Sequence, residues 1–415
     1  MDRRDFLKKT GALATSASLG PWVGACNSSS GNGSTDSGRL AITMWEFSWL
    51  VRRQGAEAEY ADWDKVLDEL AERGYDTIRL DAFPHLIARG PDGDLVERFT
   101  VLPQSPLFMW GNHEPVEIDP RAGLVEFLSK VRERDMGVGL STWFNDDTLA
   151  RSTTVVTPDD YARIWGETLD FLADSNSLDV VRWVDLCNEF PLGKWAKGAA
   201  PVIFDIDDPS NLMPVFSPWT DDTLSRVQPY LDEGIGPLRE AYPELLYTFS
   251  FETTSAENVR QLDTRSFDIG EVHVWLSNDL VFSTRSGQGA VVLESGPEAL
   301  PRHAEQAPEV YFSERDMWLS SLEGLIGDWT QWGADNGLPL YTSECWGPIN
   351  YDDVDSIPGT TEWDWVKDVC AEGVGMAIEQ GWVGICSHNF TQPHFEGMWS
   401  DIAWHQEQTN LIRNA

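Results

Sequence analysis

The chain has 415 residues, 41% of them hydrophobic, enough for a substantial core, and its length fits one α/β barrel with long loops. Sixty-eight Asp and Glu against 30 Lys and Arg leave a formal charge of −38, which argues against nucleic acid as a partner. Twenty Trp is several times ordinary usage, and flat rings with one polar handle suit platforms for a ligand with partly apolar faces.

The N-terminus reads MDRRDFLKKTGALATSASLGPWVGAC. Arg3-Arg4 before Asp5-Phe6-Leu7-Lys8 resembles a twin-arginine export signal, and Gly24-Ala25 before Cys26 resembles a lipoprotein cleavage box. The expectation is a signal peptide over 1–25, lipidation of Cys26, and a flexible linker over 26–38 (NSSSGNGSTDSG and its flanks). Asn27 and Asn32 lie in Asn-x-Ser sequons. The folded domain is expected over 39–415.

From Leu40 one unit recurs: a short apolar strand, a polar loop, an amphipathic helix. The strands are LAITMWEF (40–47), DTIRLDAF (76–83), MGVGLSTWF (136–144), VVRWVDLCN (180–188), LLYTFSFE (245–252), FDIGEVHVW (267–275), LPLYTSE (338–344) and WVGICSH (382–388). Between them, DWDKVLDELAERG puts Trp63, Val66, Leu67 and Leu70 on one face before a Gly stop. TPDDYARIWGETLDFLAD opens with Thr157 as N-cap and Pro158 in the first turn. Eight strands alternating with helices imply parallel pairing, hence the α/β class and a single-domain (β/α)8 TIM barrel. A doubly wound sheet would want a Gly-rich turn after strand 1, and none occurs. Segments near 90–118, 191–221 and 277–312 read as long loops at the catalytic face.

In such a barrel, chemistry sits at the C-terminal ends of strands. Strand 4 ends in Asn188-Glu189 and strand 7 in Ser343-Glu344. Two carboxyl groups facing each other across a barrel mouth are what glycosidic bond cleavage needs: one protonates the leaving oxygen, the other attacks or assists. Asn-Glu after strand 4 with Glu after strand 7 resembles the retaining clan of barrel glycoside hydrolases, most closely the cellulase-like proteins around glycoside hydrolase family 5. That resemblance implies a retaining enzyme on β-linked glycans of cellulase or mannanase type, with Glu189 as acid/base and Glu344 as nucleophile. It also implies that Asn188 bonds a sugar 2-hydroxyl, that Arg79 steadies Glu344, and that His273 matches a strand-6 histidine. Trp143, Trp275, Trp346 and Trp399 are candidate stacking surfaces. The sequence departs from the family at strand 3 (Ser141-Thr142-Trp143), strand 6 (Trp275 for a tyrosine) and strand 8 (HNFTQPHFEGMW). Those departures leave open a non-catalytic surface carbohydrate-binding protein on the same scaffold. Glu46, His85 and His113 are further candidate sugar contacts.

No cofactor and no metal are expected: the seven His are scattered, and neither HExxH, a P-loop nor GxSxG occurs. The expected partner is an oligo- or polysaccharide, with membrane contact only through Cys26, for a monomer exported to the outer face of the cell membrane. Only seven of the 30 basic residues are Lys, and this acidic, Lys-poor composition resembles proteins of extreme halophiles, where salt screens self-repulsion.

Overall fold

The computed structural model describes residues 38–415 except 56, 294–295 and 353–360. The expected signal peptide, Cys26 and the linker up to residue 37 lie outside the described residues. Eight parallel staves run in chain order: β1 (Leu40–Glu46), β2 (Thr77–Asp81), β3 (Gly137–Ser141), β4 (Val181–Asp185), β5 (Leu246–Thr248, resuming as Ser250–Glu252), β6 (Gly270–Trp275), β7 (Leu340–Thr342, resuming as Cys345–Trp346) and β8 (Gly384–Cys386). Each pairs with the next, and β8 pairs with β1 at Leu40↔Gly384, which closes the ring. The break in β5 at Phe249 lets its first half pair with β4 and its second with β6. This is the (β/α)8 TIM barrel expected from the alternation of elements.

The helical layer is α1 (Trp63–Glu72), α2 (Pro120–Arg132), α3 (Pro158–Asp174), α4 (Asp221–Ala241), the one-turn α5 (Ala256–Val259), α6 (Arg315–Asn336), α7 (Asp364–Glu379) and α8 (Ile402–Asn414). Helix α1 buries the four expected residues, and Asp62 caps it by accepting the Lys65 N–H. Thr157 and Asp160 form a reciprocal capping box on α3. Each cap satisfies an N-terminal donor that would otherwise lack a partner.

The barrel is filled from below by aromatics. Trp183 of β4 and Tyr341 of β7 come from non-adjacent staves and meet edge to face at 5.4 Å. Gly139 on β3 and Gly384 on β8 make room for them: a Cβ at Gly139 would lie 2.0 Å from the Trp183 ring, and one at Gly384 2.5 Å from Tyr341. At the other end, the chain leaves several staves through left-handed residues: Glu46 (φ 30°), Phe83 (52°), Phe144 (44°) and Glu189 (46°). Non-glycine residues pay for this conformation, and it clusters where side chains are aimed at a site.

The long connections carry more structure than expected. The segment after β2 holds an antiparallel pair, Phe99–Val101 with Val116–Ile118. The expected loop at 277–312 is largely helical, as Leu280–Arg285, Gln288–Leu293 and Leu300–Ser313. Asp279 caps the first of these helices, and Pro301 sits in the first turn of the last. Among the described residues no helix is long and apolar enough to cross a membrane.

Candidate active site

A polar layer lies above the aromatic plug, centred on Arg79 of β2, whose side chain is fully buried. Its Nη2 donates to Asp185 Oδ2 (2.6 Å) and Asn188 Oδ1 (2.7 Å), with Ser141 and Ser250 hydroxyls at 3.2 Å. Its Nη1 donates to Glu344 Oε1 at 3.0 Å. One guanidinium thus ties β2 to β4 and β7, its planar fork reaching several acceptors at once. A fully buried Arg–Asp pair is expensive to desolvate, and both terminal nitrogens of this guanidinium are bonded while its Nε has no partner.

Glu189 and Glu344 stand above this layer, each 8% exposed. One oxygen from each carboxylate and one nitrogen of His273 lie within 4.8 Å of one another. Three such ligand atoms could meet a cation, but two carboxyl groups at this spacing are also the constellation of glycosidic bond cleavage. His273 Nδ1 is 3.2 Å from Glu189 Oε1 and 3.8 Å from Glu344 Oε2. Glu189 also accepts the Trp195 indole N–H at 3.1 Å, and Lys194 Nζ is 3.5 Å from the same oxygen. The strained Glu189 backbone is held by Ser250, whose hydroxyl accepts the Glu189 N–H and whose carbonyl accepts the Phe190 N–H, both at 2.9 Å.

These neighbours separate the two acids. Burial pushes Glu189 up, but Lys194, the His273 hydrogen bond and its charge, and Trp195 together bring it down to about 2. Glu344 is raised: burial dominates, and the Glu189 charge adds to it, against His273 and Arg79. His273 is raised, because Glu344 and Glu189 outweigh burial and Arg79.

Asn188 lies with the pair. Its Oδ1 is taken by Arg79, while its Nδ2 is buried with no partner and so is free to donate. Trp143 lies over Arg79, with the guanidinium 4.6 Å from its ring centre, and meets Phe47 edge to face. Trp275 ends β6 and meets His388 edge to face at 6.1 Å.

Two of the expected platforms are elsewhere. Trp346 is fully buried behind the staves: its N–H donates to the Cys386 carbonyl, and a Cβ at Gly373 of α7 would lie 2.6 Å from its ring. It faces the helical layer because strand alternation turns it away from the barrel axis. Trp399 packs under Arg73 (4.0 Å) and donates to Glu69 at the end of α1, making it part of the wall between α1 and α8. Of the further candidates, His85 is buried against Asn145 and Phe144, and His113 pairs with Glu57. Glu46 is fully buried at the end of β1, and Gln392 Nε2 donates to both its oxygens. Burial and the Glu344 charge hold the Glu46 carboxyl far above the usual range.

Sequence reasoning did not pick out Asp185, Ser250, Glu271, Lys194 or Trp195. A signal for two of them was present. Asp185 is a carboxylate inside an apolar strand, which needs a buried cation, and Glu271 precedes His273 by two residues, which puts both on one face. Cys187, Cys345, Cys370 and Cys386 are buried free thiols.

A closed parallel barrel with two carboxylates converging at its mouth is a cellulase-like glycoside hydrolase fold. The model of the family described as "Cellulase-like: Sugar-binding cellulase-like" matches residues 42–413, and the chain belongs to that family. A crystal structure from Parabacteroides distasonis ATCC 8503, described as a candidate glycoside hydrolase, is 33% identical with a TM-score of 0.79, over 91% of this chain and 94% of that one. More distant are a glycoside hydrolase of subfamily GH5_18 from Bifidobacterium longum subsp. infantis (12% identity, TM-score 0.48, 91% and 80% covered) and a family 5 mannosidase from Rhizomucor miehei (11%, 0.44, 90% and 94%). No curated protein matches the sequence.

Proposed function

We propose that the chain is a retaining glycoside hydrolase acting on β-linked glycans, with Glu344 as nucleophile and Glu189 as acid/base. The observation that carries this reading is the approach of the two carboxylates within 4.8 Å of each other and of His273. Retaining enzymes keep their carboxyl groups about 5–5.5 Å apart, whereas inverting enzymes leave room for a water between them. Glu344 attacks the anomeric carbon while Arg79 balances its charge. Glu189 protonates the departing oxygen and then activates the water that releases the sugar. Asn188 offers its free amide N–H to the sugar beside the scissile bond. Glu344→Ala and Glu189→Ala are each expected to cut release of reducing sugar at least 10³-fold, on the order of other general-acid and nucleophile losses. The measurement is a panel of β-glucans, mannans and aryl glycosides in high salt, with the anomer of the first product read by NMR. Full activity in both variants would refute the assignment.

A second reading is a surface sugar-binding protein without turnover. Lys194 beside Glu189 favours it, since a cation there opposes a general acid. Tight binding of a glycan with no reducing ends released would decide for it. We also propose export by the twin-arginine route and tethering through Cys26, supported by the order Arg3-Arg4, apolar stretch, Gly24-Ala25-Cys26 and polar linker. Cys26→Ser is expected to release the protein from the membrane fraction.

A further inference from the structure

We infer that Glu271 is a positioning residue of this site: with His273 it forms a buried proton store that feeds Glu189. The inference rests on the hydrolase reading above for its catalytic part and on the carboxylates packed round His273 for the rest. Glu271 and His273 are two residues apart on β6, both fully buried, and their side chains leave the same face of the strand. Glu271 Oε1 accepts the Ser343 backbone N–H (2.8 Å) and the Ser343 hydroxyl. Glu271 Oε2 is buried without a partner, and so is His273 Nε2, which lies 3.8 Å from Glu271 Oε1.

A neutral imidazole has one N–H. With the proton on Nδ1, facing Glu189, the ring turns a lone pair toward Glu271. With the proton on Nε2, it turns a lone pair toward Glu189 and Glu344. An imidazolium donates to Glu189 and sets its charge 3.8 Å from Glu271, the alternative being a proton on Glu271 itself. Both solutions carry one proton more than a neutral histidine and an ionised Glu271, and that proton offsets one of the three carboxylates packed round the ring, Glu189 at 3.2 Å and Glu271 and Glu344 at 3.8 Å. The surrounding charges agree. His273 is raised by Glu344 and Glu189 in spite of burial and Arg79. Glu271 is raised by burial, with Asp185 adding to this and Arg79, His273 and Ser343 opposing it. Lys194 lowers both Glu189 and Glu344.

The store resolves a difficulty of the site. Glu189 at rest is ionised, so its acid proton has to come from a neighbour, and His273 Nδ1 is 3.2 Å away. The proton passes from Nδ1 to Glu189 Oε1, leaving a neutral ring and a carboxylic acid. Glu189 then gives that proton to the glycosidic oxygen as the C–O bond breaks and the Glu344–carbon bond forms. In the second step water adds to the anomeric carbon, the Glu344–carbon bond breaks, and Glu189 takes the water proton and returns it to Nδ1. Glu271 offsets the charge of the ring whenever it is protonated.

Glu271→Gln keeps an oxygen for Ser343 but cannot carry the charge. The test is ¹⁵N NMR of histidine-labelled protein across pH 5–9, with kcat measured on the best glycan of the panel. In the wild type both His273 nitrogens should be protonated near neutral pH and titrate above the ordinary histidine value. In Glu271→Gln that titration should fall by about one pH unit, and the alkaline limb of kcat should move with it while KM changes less than about twofold. A wild-type His273 with one protonated nitrogen at neutral pH beside an ionised Glu271 would overturn the inference without any variant. So would an unshifted titration in Glu271→Gln. Ring behaviour as expected with no glycan cleaved would leave the proton store standing and remove the hydrolase reading; glycan cleavage with an unshifted ring would do the reverse.

Discussion

Glu189 lies between two basic side chains, Lys194 and His273. The lysine is partly exposed, so its effect is testable without disturbing the core. Lys194→Met should raise the Glu189 pKa from about 2 toward the usual carboxylate range, visible in a ¹³C carboxyl titration. An unchanged titration would mean that His273 and Trp195 alone hold Glu189 down. Asp185 is the opposite case, fully buried against Arg79. Asp185→Ala should cost about 3–5 kcal/mol by denaturant unfolding, because it strips the buried guanidinium of its nearest carboxylate and leaves Glu344 as the other one bonded to it. A loss under about 1 kcal/mol would show that Asn188, Ser141, Ser250 and Glu344 suffice for that charge. At this scale the sequence was informative where residue type met strand end: Glu189, Asn188, Arg79, His273 and Glu344 gather as expected. It misled where only residue type was used. Trp346 and Trp399 are indoles like Trp143 and Trp275, but which face of a strand or helix a Trp occupies follows from pairing and packing that composition does not encode.

All eight strands were legible because each is a short apolar run between turn residues, and the helices were legible from apolar periodicity. The insertion after β6 was not: two of its helices are six residues long and the third, Leu300–Ser313, carries Pro308 in its interior, so 277–312 read as loop. The glycines carry element-level information that the pattern alone hides. Gly139 has its neighbour's Trp183 ring where a Cβ would stand, whereas Gly375 in α7 has nothing within 4 Å. Gly139→Ala should therefore destabilise by about 1–3 kcal/mol through overpacking. Gly375→Ala should stabilise by about 0.5–1 kcal/mol through helix propensity and lost unfolded-state freedom. Thermal unfolding of the two variants side by side checks the contrast; equal shifts would mean that Trp183 moves aside at little cost.

Over the whole molecule two electrostatic effects oppose folding, and they respond to different variables. The formal charge of −38 is spread over the surface and is screened by salt, the Debye length falling from about 10 Å at 0.1 M to about 3 Å at 1 M. The barrel interior carries carboxyl groups that salt cannot reach. Glu46 and Glu271 are raised by burial, as is Glu344, and Asp81 is pushed up to about 7 by the same cause against its hydrogen bonds from Phe83 and Trp143. A carboxyl raised in the folded state binds its proton more tightly there than in the unfolded chain. Its contribution is complete below the unfolded value near 4 and is lost as pH rises through the folded value. Glu189, lowered to about 2, acts in the other sense, and only below the ordinary carboxylate range. Five histidines, His85, His303, His388, His394 and His405, are lowered by burial and act against the raised carboxyls, adding stability as pH rises through the unfolded histidine value of about 6.5, so the two sets offset each other between about pH 5 and pH 7. Above about pH 7 the groups raised furthest, Glu46 foremost, are the ones still to lose their protons, and Tm should fall as pH rises. Raising NaCl from about 0.1 to about 2 M should lift Tm at every pH by relieving surface repulsion, while the fall with pH should persist at the higher salt because its source is buried. A Tm that becomes independent of pH in 2 M salt would assign the whole effect to the surface and contradict the raised interior carboxyls. A Tm indifferent to salt at fixed pH would remove the physical basis for reading this composition as an adaptation to brine.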